Sequence, residues 1–138
     1  MGSSQVILLD THVAIWLANE DSTLGVRARK IVAIAREQNQ LSISAISFWE
    51  IELLASKDRI ELYKDPLQLR TELLDSGITE LPLTGEVALL AVDLKGLHGD
   101  PADRFIVATA IAHNATLLTA DDRLLRWRHA LRRQNAEL

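Results

Sequence analysis

The sequence predicts an α/β fold in which helices cover both faces of a parallel sheet. Three observations carry that expectation. Short apolar runs rich in branched side chains recur along the chain, helix-period segments with capping signals stand between them, and acidic residues sit at the junctions. Strands joined through helices imply right-handed crossovers and parallel pairing. With 138 residues, 48% hydrophobic and 25% charged, the chain suits one domain with a substantial core and leaves no room for a second.

Val6 to Leu9 is a continuous apolar run, the pattern of a strand buried on both faces, and Asp10-Thr11 ends it. From His12, the positions of Val13, Ile15, Trp16 and Leu17 predict a short helix. Leu24 to Gln38 predicts a second, with Val26, Ile31, Ile34 and Ala35 inward and Arg27, Lys30 and Arg36 outward. Leu41 to Ala45 is the next strand. Ser47 opens a helix reaching about Ser56, with Glu50 three residues on completing a capping box. Asp65-Pro66 begins a helix that Gly77 ends, Ile78 to Leu83 is a strand, and Thr84-Gly85-Glu86 starts a helix through Leu94. After the Gly96–Gly99 loop, Asp100-Pro101 caps an apolar helix to His113. Thr116 to Leu118 is the fourth strand and Asp121-Asp122 opens the last helix.

Composition narrows the function. The chain has no cysteine, which excludes a disulfide scaffold, a thiolate zinc site and a cysteine nucleophile, and it is compatible with a reducing cytoplasm. No apolar run approaches the roughly 20 residues that span a bilayer, so no membrane association is expected. The start, Met1 to Ser4, lacks signal-peptide character and reads as an expression-derived or disordered leader. A net charge of −4 argues against coating nucleic acid by bulk electrostatics. Arg123, Arg126, Arg128, Arg132 and Arg133 nonetheless form a run without an intervening acid, read as a solvated helix face or, beside a nuclease site, as a phosphate grip.

Asp10, Glu50, Asp103 and Asp121 each fall where a strand pattern meets a helix start. Taken singly, each is explained as a helix cap: Glu50 lies three residues after Ser47, Asp103 three after Asp100, and Asp122 three after Thr119. Capping requires no convergence, however. In an open parallel sheet the carboxyl ends of the strands and the helix starts that follow share one edge, where ligands bind. Carboxylates gathered there repel one another and form a hard-oxygen cage suited to Mg2+ or Mn2+. Other side chains rank lower: His98 as a proton shuttle or, more simply, a solvent-exposed loop histidine, His12 near substrate, His113 at a helix end, Trp16 and Trp49 in the core, and Trp127 as the one tryptophan with a chance of RNA contact.

Four stretches, LLDTHVAIW from Leu8, SFWEIELL from Ser47, HGDPADRFIVATA from His98 and ATLLTADDRLL from Ala115, resemble the PIN-domain ribonucleases, and within them the VapC toxins of bacterial toxin-antitoxin pairs. ITELPLTGEVALLA is similar to the family's central strand and helix. The resemblance implies a three-layer α/β/α sandwich with a central parallel sheet of four or five strands, formed by residues 5–138. It assigns metal binding and catalysis to Asp10, Glu50, Asp103 and Asp121, with Thr11 and Thr119 as supporting hydroxyls and Asp100 and Asp122 as second-rank candidates. Arg126, Arg128 and Arg132 would bind substrate. Asp58, where many relatives have glycine, and Glu52, an added charge beside Glu50, depart from the pattern.

The implied function is an Mg2+- or Mn2+-dependent endoribonuclease, cytoplasmic and homodimeric, cutting tRNA or ribosomal RNA. Cleavage would leave a 5′-phosphate and a 3′-hydroxyl. A cognate VapB-like antitoxin would wrap the chain and push a basic side chain towards the acids. A haloacid-dehalogenase-type domain needs a second Asp where His12 stands, and a receiver-like domain needs an acidic pair and a late lysine in place of Thr119-Ala120-Asp121. The remaining alternatives are a catalytically silent PIN-fold binding module and a structure-specific DNA nuclease.

Overall fold

A computed structural model describes residues 5–138; residues 1–4, expected to be an expression-derived or disordered start, lie outside the described residues. The elements run β1 (Ile7–Leu9), α1 (Thr11–Ala18), α2 (Val26–Glu37), β2 (Leu41–Ser44), α3 (Ala45–Ser56), α4 (Pro66–Asp75), β3 (Thr79–Leu81), α5 (Gly85–Val92), α6 (Pro101–Ala112), β4 (Thr116–Thr119), α7 (Asp122–Leu125) and β5 (Arg133–Asn135). The five strands form one sheet in the order β3-β2-β1-β4-β5, every pair parallel. Leu8 of β1 stands between Ser42 of β2 and Leu117 of β4, so β1 is the centre of the sheet.

Alternation along the central strands divides the interior in two. Ile7 and Leu9 join Leu41, Ile43 and Leu118 against Val13, Val32, Ile51, Leu69 and Leu73, the inner residues of α1 to α4. Leu8 and Leu117 point the other way, to Val87, Ala91, Ile106, Val107 and Leu124 of α5 to α7. The three expected layers are present. No described helix is long and apolar enough to cross a membrane.

Several local expectations need correction. On α2 the buried positions are Ala28, Val32 and Ala35, whereas Val26 and Ile34 face solvent at 61% and 55% exposure. Ala35 is inward as expected and Ile31 packs against the core, but the buried face is centred on Ala28 and Val32, which leaves Val26 and Ile34 on the outer side. The cap of α3 is Ser44, whose hydroxyl accepts from the Ile46 N–H at 3.2 Å. Ser47 is a buried residue of the first turn rather than a cap, so no capping box links it to Glu50, which lies in the second turn. Thr119 likewise does not cap α7; Asp121 does, accepting from the Arg123 N–H at 2.9 Å.

The last helix ends at Leu125, so the arginine run is not a helix face. Beyond it the chain forms β5, a strand absent from the sequence reading because Arg133-Gln134-Asn135 has no apolar alternation. Arg133 spans this segment, donating to the carbonyls of Leu124 (2.8 Å) and His129 (3.1 Å). Trp127 is buried, donates its indole N–H to the Lys95 carbonyl and stacks on His129, which removes it from RNA contact. Trp49, expected in the core, is 52% exposed.

Candidate active site

The carboxyl ends of β1 and β4, with α3 and the start of α6, converge on one cleft of about 510 Å3, lined by Asp10, Glu50, Asp100, Asp103, Asp121 and Arg123 among others; α6 follows α5 and a loop, so Asp103 does not lie at the strand-helix junction expected of it. Asp10 leaves β1 as the N-cap of α1 and is nearly buried. Its Oδ1 accepts from the Thr11 N–H at 2.8 Å and its Oδ2 from the Thr119 hydroxyl at 2.6 Å. The same Thr119 oxygen accepts from the Asp121 N–H at 3.0 Å, so one side chain fixes two acids relative to each other. Thr11, the second supporting hydroxyl, donates to Ser47 at 2.9 Å and ties the start of α1 to α3 three residues before Glu50.

Glu50 comes from α3 with one carboxylate oxygen, Oε1, buried and without a hydrogen-bond partner. A buried, unpartnered carboxylate oxygen is costly and calls for a ligand. Asp103 comes from the first turn of α6. Asp100 is the N-cap there, accepting from the Asp103 N–H at 3.2 Å, and Pro101 occupies the position where a missing N–H costs nothing. The capping spacing read from the sequence therefore holds at this helix, and Asp103 still faces the cleft.

Crowding leaves its mark on the protonation of the acids. Burial pushes the Asp10 carboxyl up, against the bonds from Thr119 and Thr11. Burial also raises Glu50, with the charges of Asp10 and Asp100 adding to it. Asp103 is pushed up to about 7, by burial first and then by Asp10, Asp100 and Asp121, with the His98 bond acting the other way. Asp121 is the exception: burial raises it, but the side-chain and backbone bonds from Arg123 outweigh that and leave it lowered.

Donor atoms of Glu50, Asp100 and Asp103 all lie within 4.8 Å of one another, as do those of His98, Asp103 and Asp121. The donor set is oxygen-rich with one imidazole, and Glu50 Oε1 lacks any other partner, so the residues fit a divalent cation. Asp122 is not in the cleft; it pairs with Arg126 at 3.0 Å on the surface. Nor do Arg126, Arg128 or Arg132 line it, and Arg132 instead donates to the Gln5 side chain at 2.6 Å.

Three further residues reach the site: His98 and Arg123, which the sequence offered only as lesser candidates, and Glu137, which it did not offer. His98 is not a free loop histidine: its Nε2 lies 2.7 Å from Asp103 Oδ2. Its place five residues before Asp103, across a Pro-containing cap, was the available signal. Arg123 reaches Asp121 and Asp103, and Glu137 lines the cleft by way of the unforeseen β5.

The PIN-domain family profile matches residues 7–129. The chain belongs to the PIN-domain family. This PIN domain is 40% identical over 124 residues to Ribonuclease VapC22 of Mycobacterium tuberculosis (strain ATCC 25618 / H37Rv), an alignment covering 89% of the chain and 92% of that relative. Its fold is similar to that of VapBC2 from Rickettsia felis bound to a DNA fragment from its promoter, with TM-score 0.69, 22% identity and coverage of 94% of this chain and 98% of that one. DNA-bound VapBC from Salmonella typhimurium gives TM-score 0.68, 18% identity and coverage of 95% and 98%. At those identities the likeness speaks for the fold, and it agrees with the all-parallel sheet of this PIN domain.

Proposed function

We propose that the protein is a metal-dependent endoribonuclease of the VapC kind, a toxin neutralised by a separately encoded antitoxin. The observation that carries this reading is the convergence of Asp10, Glu50, Asp103 and Asp121 on one cleft in a chain 40% identical to a named ribonuclease. Mg2+ or Mn2+ held by these acids would supply a lowered pKa for an attacking water and neutralise charge building on the phosphate. The chain's own part is positioning. Thr119 and Thr11 fix Asp10, Asp100 fixes the start of α6 and hence Asp103, and the Glu50 oxygen stands ready for a cation. In-line attack by water with the 3′ oxygen leaving gives a 5′-phosphate and a 3′-hydroxyl.

The structural relatives solved as VapBC pairs support an antitoxin partner. A groove of about 560 Å3 between α1, α2 and α4 has an apolar floor of Leu24, Val32, Leu69 and Leu73, and Trp16 lines both it and the acidic cleft. An antitoxin segment lying in that groove would have its end beside the acids. For a homodimer, the support is Leu89 and Val92, three residues apart on α5 and 77% and 80% exposed.

The test is incubation of the purified protein with cellular RNA. Degradation in Mn2+ or Mg2+, its loss in EDTA and its loss in Asp10→Asn are the expected results. Cleavage that persists in chelator would sink the metal chemistry. Intact RNA under every condition, with normal growth on expression alone, would instead favour a silent binding module, and cutting of DNA only would favour the DNA nuclease.

A further inference from the structure

Arg123 occupies an unusual position for a residue outside the acid set. It lies two residues after Asp121, where its backbone N–H already serves the cap of α7, and its side chain folds back into the cleft. Nε is 3.3 Å from Asp121 Oδ1, Nη2 is 3.0 Å from Asp121 Oδ2, and the same Nη2 is 3.5 Å from Asp103 Oδ2. The guanidinium is thus a monovalent cation resting on two of the carboxylates that a divalent cation would need. Its side chain is 60% exposed, so solvent screens the pairing and little holds it there. Arg126, by contrast, sits on Asp122 outside the cleft, and Arg133 is committed to backbone carbonyls.

We propose that Arg123 is exchanged between two partners: it neutralises Asp103 and Asp121 while the site is metal-free, and once a divalent cation takes those carboxylates it swings to grip the RNA phosphate. The inference rests on the nuclease reading above. Two charges of the same sign cannot share the Asp103–Asp121 pair without repulsion, and the divalent one wins on Coulomb energy. The released guanidinium remains at the mouth of the cleft, long, exposed and with a forked donor geometry that matches a phosphate. Exchange also spares the metal-free protein part of the repulsion among its clustered acids.

Two measurements on full-length wild type and Arg123→Gln test this, and the variant keeps the backbone N–H that caps α7. In calorimetric titration with Mn2+ and no RNA, Arg123→Gln binds the ion about threefold to fivefold more tightly, the factor set by losing one exposed competing pair. At saturating Mn2+ the same variant shows a raised KM for RNA with kcat largely kept, and its log(kcat/KM) falls less steeply with log salt, by about 0.7 per lost single-strand phosphate contact. Unchanged or weaker Mn2+ binding in the variant overturns the competition, and an unchanged KM and salt slope overturns the phosphate grip. Wild type that binds no Mn2+ at all overturns the parent reading and this one together, whereas Mn2+ binding without cleavage of any RNA overturns the parent reading and the phosphate half.

Discussion

Asp103 shows how one residue can serve as both cap partner and site acid, and its protonation distinguishes the two. A carboxyl that only completed a helix cap would be held at or below its ordinary value by the dipole. Asp103 is raised from 3.8 to about 7 because burial and three neighbouring carboxylates penalise its charge. The folded state therefore holds an extra proton between these two values, so the metal-free protein loses stability as pH rises from about 4 to 7 and carries the full penalty above that. In EDTA, wild type should melt lower at pH 8 than at pH 5.5, and Asp103→Asn should remove most of that difference and melt higher than wild type at pH 8. A variant that melts lower at pH 8, by the roughly 0.3 to 1 kcal/mol of a lost charge-dipole contact, would return Asp103 to plain capping.

At the scale of elements, the site depends on the loop between α5 and α6, and Arg104 holds that loop. Its guanidinium donates to the carbonyls of Ala91 (2.9 Å), Val92 (3.1 Å), Leu94 (3.1 Å), Leu97 (2.8 Å) and His98 (3.1 Å). Arg104→Gln should cost about 1.5 to 3 kcal/mol by chemical denaturation, because several carbonyls lose a charged donor. A loss under 0.5 kcal/mol would show that the loop holds itself. After α3 the chain turns at Asp58 with φ +52°, a left-handed conformation that glycine adopts at least cost. Asp58→Gly should raise stability by about 0.5 to 1 kcal/mol, and a destabilised variant would contradict that explanation.

Element boundaries were legible where one residue type decides them and obscure where two candidates compete. Asp65-Pro66 and Asp100-Pro101 start helices as read, since proline after a capping acid has few alternatives. Ser44 and Ser47 could each have capped α3; tertiary bonding decided it, by burying Ser47 against Thr11. Asp10 and Asp121 were legible because a parallel sheet collects its strand ends, and Glu50 because α3 follows β2; α6 follows a helix rather than a strand, so Asp103 was legible from its capping spacing and its motif. Arg123 and His98 stood only among lesser candidates and Glu137 was missed, because their approach depends on side-chain direction and on a polar fifth strand.

Across the whole molecule, negative charge is concentrated at one sheet edge in a chain of net charge −4, an arrangement that costs stability and that a bound cation would relieve. Linkage turns this into the most direct test of the metal-site claim: the Mn2+-induced rise in melting temperature at pH 7.5, measured on wild type, Glu50→Gln and Asp103→Asn. At a free ion concentration a hundredfold above its dissociation constant, wild type should gain about 2.7 kcal/mol. Each single variant should gain far less, since each lacks a carboxylate charge of one shared site. Variants that gain as much from Mn2+ as wild type would contradict the account, leaving the four acids as structural residues that happen to share an edge.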